Sequence, residues 1–326
     1  MRGLGINTPS RTTVCWLVLL LLGPMPLVLS TPLATEVLIY ALFALGFNLA
    51  LGHTGILSFG HAAYFGLGSY ATGMALRYLH WDVLSALLGG AVLAGLAGLM
   101  VAALAIKRQG VYFAMISLAF AQMLYFLALS PLKNLTGGED GLKFIPKLSL
   151  SFPFHLDLTQ PYAVYFFTFA VFALAMLAML RLLNSPFGRL LEAVRENEAR
   201  ARSCGFSTRR LKILAMGFSG LFCGLAGGLL TVYLSYAPLT TLHWLTSGSV
   251  LMMTILGGMH TLAGPVAGAL AFLCLQDAAS HFTERWELIA GALFMGLILL
   301  FPEGLAGTIK QRLQADGPGP GRAGGP

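Results

Sequence analysis

The sequence has 326 residues, of which 57% are hydrophobic and 10% charged, with a net charge of +7 and a mean hydropathy of +0.78. Soluble domains carry about 25% charged residues, so this composition excludes a globular protein whose core is covered by polar side chains. Apolar stretches near the roughly 20 residues that cross a bilayer recur along the chain. The sequence therefore predicts an all-α polytopic membrane protein.

Apolar length and loop charge together predict about ten transmembrane helices, some of them short or broken. Their approximate bounds are 14–30, 33–51, 56–76, 83–106, 111–130, 161–183, 212–234, 245–258, 262–276 and 287–302. The first stretch follows two arginines and resembles a signal peptide, but a small-residue cleavage site is not evident in it, so we count it as a span. The 245–276 region is compatible with two short helices or with re-entrant segments.

Ten crossings place both termini on one side of the membrane, and the basic residues agree with that arrangement. That side receives Arg2, Arg11, Lys107, Arg108, the segment 181–212, Lys310 and Arg312. The opposite side receives Glu36, Asp82, the loop 131–160, Asp277, Glu284 and Glu287. Short basic loops mark the cytoplasmic face of a membrane protein, so we expect cytoplasmic termini and no nucleic-acid partner.

The expected organisation follows from these spans. Residues 1–312 form the transmembrane domain, with a cytoplasmic loop at 184–212 and an extracytoplasmic loop at 131–160. The last segment, 313–326, is rich in glycine and proline and is predicted to be disordered.

The stretch GHTGILSFGHAAYFGLGSY, residues 52–70, combines glycines and histidines with apolar residues. Small residues at spacings of three and four, including Ala62 and Gly66, predict a face on which helix backbones pack closely. The polar beginning of the stretch is less compatible with packing alone. Irregular backbone occurs inside a membrane where it lines a cavity, so we predict a broken helix on the solute pathway. Its residues are Asn48, Gly52, His53, Thr54, Gly55 and Ser58.

A second stretch, LGGMHTLAGPVAGA, has the same ingredients in the other half of the chain. Paired interrupted segments indicate a transport site near the membrane midplane. The pathway residues predicted here are Gly257, Gly258, His260 and Thr261. The spacing of Gly264 and Gly268 predicts close helix packing, and so does the spacing of Gly220, Gly224 and Gly228.

The sequence lacks the motifs that metal binding, ATP binding and ion coupling usually require. His53 and His61 have no accompanying carboxylate, so we expect hydrogen-bonding roles for them rather than a metal site; an enzyme built on these histidines and His260 is the least favoured class. The phosphate-binding sequence GxxxxGK[ST] does not occur, so ATP is not expected to bind this chain. The acidic residues fall in or near predicted loops, whereas ion-coupled carriers usually place them inside the membrane.

The segment 184–212 is mostly polar, with a modest apolar face when it is drawn as a helix. Ser185 and Pro186 are typical of a helix start, and Gly205 of a stop. A solvated loop needs neither feature. A short amphipathic helix between spans suits docking into a groove on a cytoplasmic partner.

Five sequence stretches together resemble one family. They are NLALGHTGILSFGHAAYFGLGSYATG, KRQGVYFAMISLAFAQM, LTGGEDGL, GRLLEAVRENEARARSCGFSTRRLKILAMGFSGLFCGLAGGL and ILGGMHTLAGPVAGA. In this order, from about Glu36 to Leu305, the chain resembles permeases of ATP-binding-cassette importers for branched-chain amino acids. Among these it is most similar to the longer of the two permease subunits. Cys204 and His260 depart from the family's usual residues.

The resemblance implies a transporter subunit of a bacterial cytoplasmic (inner) membrane, without enzymatic activity or cofactor of its own. It implies a second homologous permease, two ATPase subunits that bind ATP, and an extracytoplasmic solute-binding protein. It also implies that residues 192–205 form the helix that couples to an ATPase, with contacts at Glu192, Ala193, Arg195, Glu196, Ala199 and Gly205. The same kind of importer for urea, short amides or sugars, and an ion-coupled secondary transporter, are the alternatives.

Overall fold

A computed structural model of the chain describes residues 11–107, 110–143, 149–150, 156–157, 160–259, 261–282, 291–292 and 295–296. Its α-helices are α1 (Arg11–Leu22), α2 (Thr31–Thr54), α3 (His61–Tyr78), α4 (Val83–Ala105), α5 (Val111–Leu129), α6 (Lys133–Thr136), α7 (Pro161–Asn184), α8 (Pro186–Glu196), α9 (Glu198–Ser203), α10 (Thr208–Leu234), α11 (Trp244–Gly257) and α12 (Gly264–Phe282). Short 3₁₀ turns occur at Met25–Leu27, Gly138–Asp140 and Leu239–Leu242. Two two-residue strands, β1 (Ser149–Leu150) and β2 (Leu156–Asp157), pair antiparallel.

Within the described residues, five helices are long and apolar enough to cross a membrane: α2, α4, α5, α7 and α10. Each overlaps a span that the sequence predicts. This confirms the prediction of a helical, polytopic membrane protein. The span predicted at 287–302, the tail at 313–326 and the charged residues Arg2, Arg108, Glu284, Glu287, Lys310 and Arg312 lie outside the described residues.

The first predicted span, 14–30, is not one continuous helix. Helix α1 has 12 residues, which is about 18 Å of helix, and it ends before Gly23 and Pro24. Proline restricts the backbone of the residue before it and removes a helical donor, so the helix gives way to the turn Met25–Leu27. Tyr165 in α7 closes this corner by donating its hydroxyl hydrogen to the carbonyl of Leu22.

Helix α2 is the most deeply buried of the long helices, with 83% of its most apolar window inside the molecule. Helices α7, α10 and α12 pack against it. Helix α10 in turn lies against α3 and α4, and glycines allow this approach. A side chain at Gly220 or Gly224 would press into the Ala94 region of α4. The centre of the molecule is therefore a close-packed group of small residues around α2 and α10.

The break after α2 lies further along the chain than the sequence predicts. Asn48, Gly52, His53 and Thr54 are all helical, and only Gly55 leaves the helix, with φ +71°. Its amide donates to the carbonyl of Leu51, which is a common left-handed helix cap. Residues 55–60 are not helical, and α3 begins at His61 rather than near residue 56. The predicted broken helix over 48–58 is thus corrected to a break at 55–60.

Residues 245–276 form a helical hairpin. Gly268 of α12 packs against the backbone of Met253 in α11, and Gly257 packs against Gly264. This antiparallel pairing joins the predicted spans 245–258 and 262–276 into one unit. Helix α11 has only 14 residues, about 21 Å, so it is shorter than a full crossing.

Candidate functional site

Helix α8 is attached to the end of α2 by polar contacts. A guanidinium nitrogen of Arg195 (Nη1) donates to the carbonyl of Gly52 at 2.6 Å. The Glu192 carboxylate lies 3.4 Å from Nδ1 of His53 and 2.6 Å from Nη2 of Arg11. These contacts bring α1, α2 and α8 together at one end of the molecule, called here the α8 end.

The two glycine-rich segments meet at the same end. The amide nitrogen of Asn48 donates to the carbonyl of Thr261 at 3.2 Å. A side chain at Gly52 would overlap the carbonyl of Met259, so only glycine lets the α11–α12 turn approach α2 this closely. Gly258 in that turn has φ +107°, which also favours glycine. Of the predicted pathway residues, the structure therefore places Asn48, Gly52, Gly258 and Thr261 in one cluster.

Two polar atoms of this region have no hydrogen-bond partner among the described residues: Oδ1 of Asn48 and Nε2 of His53. Both side chains are buried. Buried polar atoms are normally satisfied, so two unpaired atoms beside a helix break are typical of a functional site. The predicted pathway residue His260 lies outside the described residues.

His61 has a structural partner set of its own. Its Nε2 lies 2.9 Å from the hydroxyl of Ser219, and that hydroxyl donates to the carbonyl of Gly46 at 2.7 Å. Its Nδ1 lies 3.4 Å from the carbonyl of Ser58, so both ring nitrogens have a polar neighbour. His61 thus ties α3 to α10 and α2. Among the described residues, no group of three or more His, Cys, Asp or Glu side chains is arranged to hold a metal ion.

Three serine hydroxyls hold the start of α3: Ser58, which the sequence analysis selected for the pathway, and Ser117 and Ser247, which it missed. The amide of Ala62 donates to Ser247 at 2.8 Å, and the amide of Phe59 donates to Ser117 at 3.1 Å. Ser58 accepts from the amide of Gly60 at 3.2 Å. The first amides of a helix have no partner inside it, so these side chains satisfy them within the bundle. Serines inside otherwise apolar spans are the sequence signal for such contacts.

A cavity of about 240 Å³, called the Arg195 cavity, opens between α8 and the end of α2. Thr54 and Gly55, two predicted pathway residues, line it, together with Glu198 and Lys212. The walls combine backbone, apolar and charged groups. It is the polar cavity of the α8 end.

A larger cavity of about 330 Å³, called the Glu36 cavity, lies towards the other end of α2. Its wall contains residues that the sequence analysis did not assign to the pathway: Glu36, Thr240, Thr241, Thr246, Ser249 and Gln276. Glu36 lies in the second turn of α2, and Asp277 lies in α12, so these two carboxylates are on helices rather than in the loops expected from sequence. None of the predicted pathway residues lines this cavity.

An aromatic layer separates the two cavities along α2. The rings of Phe43 and Phe65 stack with centroids 4.4 Å apart, and Phe47 meets the ring of His61 at 4.6 Å. All four side chains are fully buried. At 1.5 Å per residue, Glu36 and Thr54 are about 27 Å apart along the helix axis. These buried rings therefore lie between the levels of the two cavities along α2.

The segment expected to form one coupling helix is two helices. Asn197 interrupts it, because its side chain accepts the amide of Arg200 at 2.9 Å and so begins α9. Ser185 caps the start of α8 by accepting the amide of Gly188, and Gly205, with φ +87°, follows the end of α9. The continuous helix 192–205 is therefore corrected to α8 followed by α9.

The predicted coupling residues differ in their surroundings. Glu192 and Arg195 contact the transmembrane helices as described above. Five of the six are exposed: Ala193, Arg195, Glu196, Ala199 and Gly205. Phe206, which the sequence analysis did not select, exposes 44% of its surface beside them. An exposed aromatic ring next to polar helices is typical of a surface that a partner covers.

A partly buried ion pair anchors α9 to α10. Nζ of Lys212 lies 2.6 Å from the Glu198 carboxylate, and the Thr208 hydroxyl donates to it at 3.0 Å. Partial burial raises the pKa of Glu198, but these hydrogen bonds and the positive charge of Lys212 outweigh it, and the net pKa is lowered. Glu198 is thus held ionised beneath the exposed face of α9.

The residues predicted for close packing lie at helix contacts. Ala62 and Gly66 are buried on α3, where Gly66 faces Leu242. Gly228 faces Thr72, completing the row of Gly220 and Gly224 on α10.

Comparison with known proteins identifies the family of the chain. The profile of the family described as "Branched-chain amino acid transport system / permease component" matches residues 31–301. The chain belongs to this family. Its members are membrane components of transport systems rather than catalytic subunits.

Individual relatives agree with the family. The permease is 27% identical over 305 residues to the high-affinity branched-chain amino acid transport system permease protein LivM of Escherichia coli (strain K12), covering 86% of this chain and 71% of that protein. It is 26% identical to the probable LivM of Methanocaldococcus jannaschii, covering 73% and 77% of the two chains. The ribose import permease protein RbsC of Haemophilus influenzae is 28% identical over 40% of this chain and 42% of its own. No solved structure matches the permease.

Proposed function

We propose that this chain is one of two homologous permease subunits of an ATP-binding-cassette importer, and that it passes branched-chain or related amino acids into the cytoplasm. Its partners are a second permease, two ATPase subunits that bind the ATP, and an extracytoplasmic solute-binding protein. The chain itself needs no cofactor. The family membership and the LivM relatives support this proposal.

The observation that carries the proposal is the attachment of α8 to α2. Arg195 bonds to the backbone of Gly52, and Gly52 touches the α11–α12 turn through Met259. A push on α8 therefore reaches two interrupted segments through direct contacts. A chain without its own phosphate-binding sequence needs such an attachment to receive energy from another subunit.

The orientation follows from the same feature. We assign the α8 end, with Arg11 and the α8–α9 segment, to the cytoplasm, and the Glu36 cavity to the extracytoplasmic half. Exposed side chains at Ala193, Glu196, Ala199 and Phe206 then face the ATPase subunit. Closure of the ATPase dimer moves α8, displaces the end of α2, and opens the aromatic layer between the two cavities.

A second candidate solute class is favoured by one observation. The partial match to a ribose permease shows that sugar importers share part of this sequence. Uptake assays distinguish the solute classes. In cells that express the complete system, the uptake of labelled leucine is measured with unlabelled ribose, urea or acetamide as the competitor. An ion-coupled carrier is contradicted if uptake stops on ATP depletion and survives collapse of the ion gradient; the reverse pattern would replace the importer proposal.

The coupling role is tested with Arg195→Ala. Losing a hydrogen bond from a charged group costs about 1.5–3 kcal/mol, so we expect leucine uptake per ATP hydrolysed to fall roughly tenfold or more while the ATPase subunits still co-purify. Arg181→Ala removes an exposed arginine near the end of α7 and serves as the matched control. An unchanged ratio of transport to ATP hydrolysis in Arg195→Ala would contradict the coupling role of α8.

A further inference from the structure

The Glu36 cavity is rich in hydrogen-bond acceptors. Three of its hydroxyl groups already donate their hydrogens to backbone carbonyls: Thr241 to Pro238 at 2.8 Å, Thr246 to Thr240 at 2.8 Å and Ser249 to Leu245 at 3.2 Å. A hydroxyl has one hydrogen and two lone pairs, so each of these oxygens is left to accept.

The charge of the cavity has one sign. Glu36 contributes a carboxylate, and Asp277 lies close enough to interact with it electrostatically. Among the described residues that line the cavity, none is lysine, arginine or histidine. A negative, acceptor-rich wall is complementary to a cationic group with several donors, and an ammonium group has three.

The rest of the wall fits the other parts of an amino acid. Apolar side chains such as Phe65, Leu230 and Phe272 form one side, and at 330 Å³ the cavity is of the size that holds small molecules. Gln276 and Tyr236 offer donors for a carboxylate.

We propose that the Glu36 cavity binds the solute during transfer, with the Glu36 carboxylate and the hydroxyl oxygens of Thr241, Thr246 and Ser249 receiving the ammonium group of an α-amino acid. This inference rests on the proposed importer function and narrows its solute to compounds that carry an ammonium group. Neutral sugars and amides lack the charge that the cavity complements. Glu36 is then the residue that determines specificity for this charge.

The test uses the complete transporter reconstituted in vesicles with its co-purifying subunits. In Glu36→Gln, we expect leucine uptake at low concentration to fall roughly tenfold or more, because a charge-assisted hydrogen bond is lost. Glu36→Asp keeps the charge and restores part of the uptake. Asp82→Asn removes an exposed carboxylate that lines neither cavity and changes uptake by no more than about twofold.

A second measurement does not depend on uptake. In Ser249→Cys, with Glu36 present, we expect a cationic thiosulfonate reagent to modify the thiol faster than an anionic one, and leucine to protect it. Equal rates without protection would overturn the inference, as would full uptake by Glu36→Gln. Protection by sodium chloride but not by choline chloride would assign the site to a metal cation and also overturn it. Wild-type vesicles that take up ribose or urea but not leucine would instead refute the proposed function.

Discussion

Residues 55–60 connect α2 to α3, and a turn that contains Gly258 connects α11 to α12; glycines lie within or beside both connections. They use glycine for different reasons. Gly55 adopts φ +71°, and a Cβ there would meet only the Arg195 side chain at 3.5 Å, an ordinary contact. Around the second connection, Gly257, Gly264 and Gly268 lie directly against backbone atoms. At Gly55 glycine is needed for its backbone angle, while the helical glycines beside the second connection are needed for close approach. Each connection also holds one glycine of the other kind, since Gly258 has φ +107° and Gly60 lies against Ser117.

The difference predicts that a single methyl group is unfavourable in both places but for different reasons, and the largest loss of stability is expected in the hairpin. In Gly268→Ala the new Cβ overlaps the carbonyl of Met253, which is backbone and cannot move aside. We expect a loss of about 1–3 kcal/mol or more, seen as a lower melting temperature of the purified complex.

The control for this variant lies in the same hairpin. Gly248 of α11 has nothing within 4 Å of a Cβ, so Gly248→Ala is expected to stabilise the helix by up to about 1 kcal/mol. Equal melting temperatures for the two alanine variants would show that the hairpin does not depend on close approach.

A smaller effect is expected at the first connection. Gly55→Ala forces a side chain into the left-handed region, which costs about 1–2 kcal/mol without any overlap. Asparagine tolerates this conformation, so Gly55→Asn recovers much of the loss. Thermal unfolding of the two variants checks the order, and an asparagine variant as unstable as the alanine variant would contradict conformational freedom as the reason for glycine.

The smallest predicted effect is the pH dependence of the local stability of α9 at the α8 end. The pKa of Glu198 is lowered in the folded protein, so its ion pair with Lys212 stabilises α9 above the usual glutamate pKa, and this contribution is lost as the pH falls through the folded pKa. The pair is partly exposed, so we expect less than about 1 kcal/mol. Hydrogen exchange of residues 198–205 should quicken as the pH is lowered from about 5 towards about 3, after correction for intrinsic rates. Lys212→Met should flatten this dependence; an unchanged profile would remove the ion pair as its cause.

The sequence predicts the helical class and most of the spans because apolar length is a local property. The fold differs from the sequence prediction where the outcome depends on a specific backbone angle or side chain. Pro24 shortens the first span, Gly55 moves the break by several residues, and Asn197 divides the coupling segment. In each case one residue redirects the chain, while the average composition of the window stays apolar or amphipathic.

The candidate site, too, could be predicted from the sequence only in part. The similarity of GHTG and GGMHTLAG is visible in the sequence, and the structure brings Asn48 and Gly52 against Thr261 and Met259. Whether a solute passes there stays a prediction. The Glu36 cavity was missed because its wall comes from α2, α3, α10, α11, α12 and the 236–241 segment, which are distant in the sequence. Only the packing of distant segments makes them neighbours.

The burial of α2 has a consequence for how the protein is made. Its sides are covered by α7, α10 and α12, and Asn48 bonds to Thr261, which is synthesised about 200 residues later. At 5–20 residues per second, roughly 10–40 s pass between the synthesis of Asn48 and that of Thr261, and α7 and α10 emerge within that interval. During that interval the side-chain amide of Asn48 and the carboxylate of Glu36 lie on a helix whose surrounding bundle is incomplete. The order of synthesis therefore makes α2 the segment of this permease that depends most on being held by the insertion machinery.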